Sequence, residues 1–393
     1  MPSFSWLIPI LLSVILLWAI LYRLSRSYDL KKRGITIEGG MLMWRTKRGL
    51  WLIDRIARAS KRGWFAFGTA AAIVGAILMV FVFINLAVNA VVTIQRPEAA
   101  VPGVRFVIPG ITIPLVAGLI AIASVLVVHE VAHGIVLRAQ GLPAKSVGLL
   151  LLLVIPGAFV EPDEKKLNAS PVPKRLRVFG AGSFANVIFA FLCLGIILLA
   201  LTPKPGVYVL GIRENGPSQG ILEPGMRLYE INGVALGGED DYYKLMENIR
   251  PGENLTILTD RGLFVITAGE HPKENMGDIG VLPISAISRS SFANPLTVLE
   301  VALLELFGYP VFHPYVYMTR LPWGLVDVLK WIFLLNGGVG LFNLLPAVPL
   351  DGGYIFRGLI EWLGSAKAAK RASYALSVLV LAVLIINIAP LFW

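Results

Sequence analysis

Long apolar runs constrain this chain more than any other feature. Near positions 4–21, 65–92, 111–137, 177–201, 325–345 and 372–391 the sequence approaches or exceeds the roughly 20 apolar residues that cross a bilayer as a helix. Hydrophobic residues fill 56% of the 393 positions and charged residues only 15%, where a soluble domain carries about 25%. The chain is therefore read as an integral membrane protein whose first partner is a lipid bilayer. The expected fold class is mainly α: a polytopic transmembrane helical bundle of about six spans.

Charge distribution narrows the reading. The net charge of +10 is concentrated at 23–62 (Lys31, Lys32, Arg33, Arg45, Lys47, Arg48, Arg55, Arg58 and Lys61 among others) and at 165–177. Both clusters flank apolar runs, where positive charge kept in the cytoplasm sets orientation. Neither offers a folded basic face with base-reading side chains, so nucleic acid is excluded as a partner. The rule places 23–63 and 138–174 in the cytoplasm, and 95–110 and the stretch after 201 outside. The expected location is the plasma membrane, multi-pass. The first run lacks a charged start and is followed by Arg23 and Arg26, which reads as a retained anchor. Between 41 and 64, Trp44, Leu50, Trp51, Ile53 and Ile56 alternate with basic residues, the pattern of an amphipathic helix on the membrane surface. Cys193 is the single cysteine, so neither an internal disulfide nor a cysteine zinc site is available.

From 203 to about 283 the composition becomes that of a soluble α+β domain. Short β-rich runs at 207–212, 227–231, 255–258 and 263–267 are punctuated by glycines, with a helical stretch near 240–248. At 215–234, a short helix leads to Pro224-Gly225 and then a strand ending in Asn232-Gly233, which resembles the centre of a PDZ domain. Such domains bind extended segments, often C-termini, by adding a strand to a sheet edge; an inert spacer or a steric gate is an equal reading. The expected organisation is an anchor and basic amphipathic segment (1–64), a first part of the membrane core (65–202), an inserted extracytoplasmic PDZ-like domain (203–290) and a second part of the core (291–393).

The third run ends in His129-Glu130-Val131-Ala132-His133. Histidines four apart share one helical face and reach one metal ion. Glu130 beside them can take a proton from metal-bound water, and zinc suits two imidazole nitrogens with an open position. Charge at the centre of a membrane helix costs about 2.5–3.5 kcal/mol on insertion scales, so these residues are not idle there. A catalytic zinc needs a third protein ligand, for which Asp351 is available, in Asn343-Leu-Leu-Pro346-Ala-Val-Pro349-Leu350-Asp351-Gly352-Gly353. The prolines break helical hydrogen bonding and the glycines allow tight turns. Asp351 alone reads as readily as the cap of a following helix at 354–363.

His-Glu-x-x-His in one span, with Asn343-x-x-Pro346-x-x-x-x-Asp351-Gly352 at the end of a later one, resembles the site-2 protease family of intramembrane zinc metalloproteases. Gly182-Ser183-Phe184-Ala185-Asn186 is similar to that family's Gly-x-x-x-Asn element, and 157–162 to a piece recurring between its core helices. The resemblance covers about 111–363. It implies one zinc per chain held by His129, His133 and Asp351, with Glu130 activating the water and transmembrane proteins as substrates. It further implies that Asn186 contacts the substrate backbone or the oxyanion, an interhelical amide contact being the equal alternative. Asn343 would orient the site or the substrate. Family members often carry proline where this chain has Ser183, a departure expected to leave the metal assignment untouched. Orientation would put the zinc in the cytoplasmic half of the membrane. The apolar stretch 146–160 is expected to form a membrane-dipping hairpin whose edge, around 147–153, holds an unwound substrate. Two other functions stay open: a membrane zinc protease with a glutamate as third ligand, and a catalytically silent receptor or chaperone acting through the PDZ-like domain. Retention of Glu130, which metal binding alone does not need, argues against silence.

Overall fold

The computed structural model describes residues 7–28, 30–38, 40–99, 102–104, 106–153, 155–271 and 276–392. Residues 4–6 of the first apolar run lie outside this set. The chain divides into two compact units, one formed by Met1–Cys193 with Trp331–Trp393 and the other by Leu194–Lys330.

The first unit opens with α1 (Leu7–Ser27), a hairpin of β1 (Ile35–Glu38) and β2 (Met41–Thr46), and α2 (Leu50–Ala59). Two long helices follow, α3 (Lys61–Gln95) and α4 (Leu115–Ala139). A second hairpin, β3 (Ala144–Leu152) and β4 (Ile155–Pro162), leads through α5 (Glu164–Asn168) to α6 (Val172–Ala200). The two hairpins join in one antiparallel sheet of order β1-β2-β3-β4, with Met43 opposite Leu150 and Leu150 opposite Gly157.

This sheet corrects two expectations. The segment 41–64 is not one amphipathic helix, because Leu42 and Trp44 alternate with Met43 and Arg45 at a strand's period of two and pair with β3. Only α2 is helical and amphipathic, burying Ile53 and Ala57 against Ile135, Val147 and Val160. The hairpin expected at 146–160 forms, but β3 is an interior strand. The edge strands are β1 and β4, so the edge nearest α4 belongs to 155–162 rather than 147–153.

The second unit contains β5 (Leu201–Pro203), β6 (Val207–Ile212), β7 (Arg227–Ile231), β8 (Val234–Ala235), α7 (Glu239–Met246), β9 (Asn254–Thr259), β10 (Gly262–Thr267), β11 (Gly269–Glu270), β12 (Gly277–Asp278), β13 (Val281–Ile284), α8 (Pro295–Leu306) and β14 (Tyr317–Thr319). Its main antiparallel sheet runs β10-β9-β7-β6-β13. Alternate residues Leu255 and Ile257 of β9 are fully buried with Leu228, Ile231 and Ile266, and Tyr242 and Met246 of α7 close the core. Pro224-Gly225 makes the turn into β7, with Gly225 at φ 89. This is the inserted PDZ-like α+β fold, and the compact unit that holds it runs from Leu194 through α8 to Lys330. Ile257→Ala should destabilise it by roughly 2–5 kcal/mol. Limited proteolysis of the full chain would then cut within this unit sooner; an unchanged cleavage rate would contradict the assignment of its core.

The chain then returns to the first unit through α9 (Trp323–Asn343), α10 (Asp351–Leu363) and α11 (Ala366–Ile388). Among the described residues, five helices are long and apolar enough to cross a membrane: α3, α4, α6, α9 and Ala366–Leu391; the described apolar part of α1, Leu12–Ser25, is shorter. Their surfaces are arranged for lipid. On α3, Ile73, Ile77, Val80 and Ile84 are exposed while Gly68, Ala71 and Gly75 face inward. Lipid is as apolar as a leucine side chain, so helix association rests on close packing at small residues. A Cβ on Gly180 of α6 would strike the Ala71 main chain, which shows how near α3 and α6 approach. Buried and half-buried polar groups pair across the bundle: Asn89 with Asn387 at 2.8 Å, Asn336 with Ser124 at 2.8 Å, and Arg175 with Glu361 at 2.7 Å.

Candidate metal centre

Helix α4 carries His129 and His133 one turn apart, their Nε2 atoms 3.1 Å from each other. Asp351 is the first residue of α10, where two prolines have ended the preceding helical path and Leu350 is extended. Gly352 and Gly353 are needed here for close approach rather than for a left-handed turn. A Cβ on either would overlap the main chain of 344–348. The segment thus folds back tightly and delivers the carboxylate to the histidines. Asp351 Oδ2 lies 3.4 Å from His129 Nε2 and Oδ1 lies 3.4 Å from His133 Nε2. The three side chains are only 12–17% exposed.

Each group has a partner behind it. His133 Nδ1 lies 2.6 Å from the Val178 carbonyl oxygen, which accepts its proton and leaves Nε2 as the lone-pair donor toward a metal. Ser183 Oγ donates to Asp351 Oδ2 at 2.7 Å. Asn186 Nδ2 lies 3.3 Å from His129 Nδ1. Glu130 Oε2 accepts the Val160 N–H of β4 at 2.9 Å. A cavity of about 290 Å³ is lined by His129, Glu130, His133, Asn343 and Asp351.

Sequence reasoning named His129, Glu130, His133, Asn343 and Asp351, and these five share one cavity. Asn186 is brought to the cluster too, but it is fully buried and faces His129 rather than the cavity. The departure at Ser183 reaches the metal centre, since its hydroxyl holds a carboxylate oxygen of Asp351. No sequence signal marked Val178, and Val160 stood out only as part of 157–162, because both act through main-chain atoms.

The cluster fits zinc. A tetrahedral ion with bonds of roughly 2.0–2.1 Å separates its ligands by about 3.3 Å, and the three ligand atoms stand 3.1–3.4 Å apart. Two imidazole nitrogens and a carboxylate oxygen are a zinc donor set, and a buried carboxylate needs a cation to offset its desolvation.

A lipid-facing helical unit enclosing a His-His-Asp cluster, with a glutamate beside it, defines a multi-pass membrane protein with a candidate metal centre. A profile of peptidase family M50 matches residues 117–387, and the chain belongs to that family, the site-2 proteases anticipated from its motifs. It is accordingly a protease with protein substrates, and its family implies zinc. An uncharacterised protein of Methanocaldococcus jannaschii is 28% identical over 363 residues, covering 91% of this chain and 87% of its own. A membrane-bound transcription factor site-2 protease homologue of Arabidopsis thaliana is 24% identical over 46% of this chain and 37% of its own. A Clostridium perfringens protein provisionally named a zinc metalloprotease is 25% identical, covering 63% of this chain and 88% of its own. Among solved structures, the PDZ domain of an SdrC-like protein from Listeria monocytogenes covers 21% of this chain and 92% of its own at 21% identity, with a TM-score of 0.20.

Proposed function

We propose that this protein hydrolyses peptide bonds of transmembrane substrates within the bilayer, in regulated intramembrane proteolysis, using one zinc ion per chain. His129, His133 and Asp351 hold the ion, and the observation that carries the reading is their convergence, with Glu130 beside them, on a helix long enough to cross a membrane. Zinc, when bound, polarises the scissile carbonyl and makes water a stronger acid.

The rest is the work of the chain. Glu130 is the general base: its carboxylate takes the proton of the attacking water and returns it to the leaving amine nitrogen. The Val160 N–H keeps that carboxylate in place. Asn343, on the cavity wall, is positioned to hydrogen-bond the substrate backbone. A helical peptide bond is internally hydrogen-bonded and shielded, so the substrate unwinds before attack. The edge strand β4, already in contact with Glu130, is the surface along which the unwound segment lies. The bundle sits in the plasma membrane with the metal in its cytoplasmic half, and the PDZ-like domain is extracytoplasmic and receives an extended segment or C-terminus. The chain is organised as 1–64, 65–202, 203–290 and 291–393.

The test is zinc analysis of the purified protein beside cleavage of a synthetic transmembrane peptide in liposomes. One zinc per chain, activity lost on chelation and restored by zinc support the reading; full activity after complete metal removal overturns it. A second expectation concerns β4. Val160→Pro deletes the N–H that holds Glu130 Oε2 at an edge where proline is tolerated. Cleavage should fall roughly 10- to 100-fold, the worth of one hydrogen bond to a charged group, with zinc content kept. Steady-state kinetics and metal analysis on the same sample check both halves.

A further inference from the structure

We infer that α6, which supplies no ligand, sets the metal affinity from behind, with Ser183 and Asn186 as positioning residues for Asp351 and His129. The inference rests on the metal-centre reading above. Three groups of α6 meet the three ligands one to one: the Val178 carbonyl with His133 Nδ1, Ser183 Oγ with Asp351 Oδ2, and the Asn186 carboxamide with His129 Nδ1. Gly182 lies between them, and a Cβ there would collide with both imidazoles. Gly340 of α9 backs the same turn, where a Cβ would come within 3.1 Å of the Ser183 carbonyl oxygen and 3.2 Å of Asn186 Cβ. The side chains of Ser183 and Asn186 are fully buried, so neither is free to meet a substrate without moving α6.

Their chemistry is directional. The Ser183 hydroxyl has one proton, and giving it to Asp351 Oδ2 fixes the rotation of the carboxylate. For His129, ligation through Nε2 places the ring proton on Nδ1, and that proton needs an acceptor. The Asn186 carboxamide supplies one when its oxygen faces the ring. In the structure Nδ2 faces the ring at 3.3 Å and Asn186 Oδ1 is a buried acceptor without a hydrogen-bond partner among the described residues; turning the amide over brings Oδ1 to the ring proton. With the amide nitrogen facing the ring, as placed in the structure, Nδ1 accepts and the ring proton sits on Nε2, so Nε2 offers a metal its lone pair only once the amide turns over. Metal occupancy and the orientation of Asn186 are therefore coupled. A backbone- or oxyanion-binding role for Asn186 requires its N–H to face the cavity, and its burial behind His129 speaks against that.

The decisive experiment measures zinc affinity of the full chain in detergent by competition with a chromophoric chelator, beside kcat at saturating zinc. Ser183→Ala and Asn186→Ala should each weaken zinc roughly 10- to 100-fold, the usual loss for an outer partner of a ligand. Ser183→Thr keeps the hydroxyl and should restore affinity. Asn186→Asp can only accept a hydrogen bond from the ring, and should hold zinc at least as well as the parent. Affinity unchanged in both alanine variants, or lost more than tenfold in Asn186→Asp, overturns the inference. So does a loss in Asn186→Ala confined to kcat, which would make it a substrate-side donor. If an alanine variant does not fold, Asn186→Asp alone decides. A parent chain that binds no zinc would instead overturn the metal-centre reading itself.

Discussion

Glu130→Gln should bind zinc as tightly as the parent chain and cleave roughly 100- to 10,000-fold more slowly, the range that a positioned general base contributes. Glutamine keeps the shape of the side chain, and its amide oxygen can still accept the Val160 N–H that the structure places 2.9 Å from Oε2. It cannot take a proton. Because Glu130 lies beside the ligand cluster without belonging to it, metal content and fold should survive. Single-turnover cleavage of a labelled transmembrane peptide by metal-loaded variant and parent measures the effect. Equal rates would remove Glu130 from the chemistry.

Asp351→Ala should be as damaging by a different route. It deletes one of three ligands and strands the buried Ser183 hydroxyl, which now donates to Asp351 Oδ2 at 2.7 Å. Loss of an outer partner alone costs roughly 10- to 100-fold in affinity, so loss of a ligand should exceed that. The variant should purify without zinc and cleave at background rate in the presence of a weak chelator. Added zinc should recover only part of the activity, because two imidazoles leave the ion poorly held. Isothermal titration with zinc would show it; parent-like affinity would mean that the metal is held elsewhere.

The membrane character, the two-histidine face of α4 and the strands of the second unit were legible because each depends on short-range pattern. Apolar runs report spans through length alone. His129 and His133 share a face because four residues nearly complete a helical turn, and the alternation in 254–259 matches a strand with one buried side. The segment 41–46, Met-Leu-Met-Trp-Arg-Thr, has too few polar residues for its period to separate a surface helix from a strand. Pairing with β3, a partner about a hundred residues away, decided it. Helix ends were also missed by a few residues, as at α6, which begins at Val172 rather than 177 because Lys174, Arg175 and Arg177 extend it beyond the apolar run.

By itself the sequence determined the solvent, the inserted α+β domain and the paired histidines on one face of α4, since these follow from composition, period and spacing between near neighbours. It offered Asp351 as a ligand only through a motif, because spacing says nothing about where a segment more than two hundred residues distant will fold. Tertiary structure brought that carboxylate within 3.4 Å of both imidazoles, through a backbone turn so tight that only glycines fit after it. It alone set Val178, Ser183 and Asn186 of α6 against His133, Asp351 and His129, because main-chain acceptors and buried side-chain orientations arise only when helices pack.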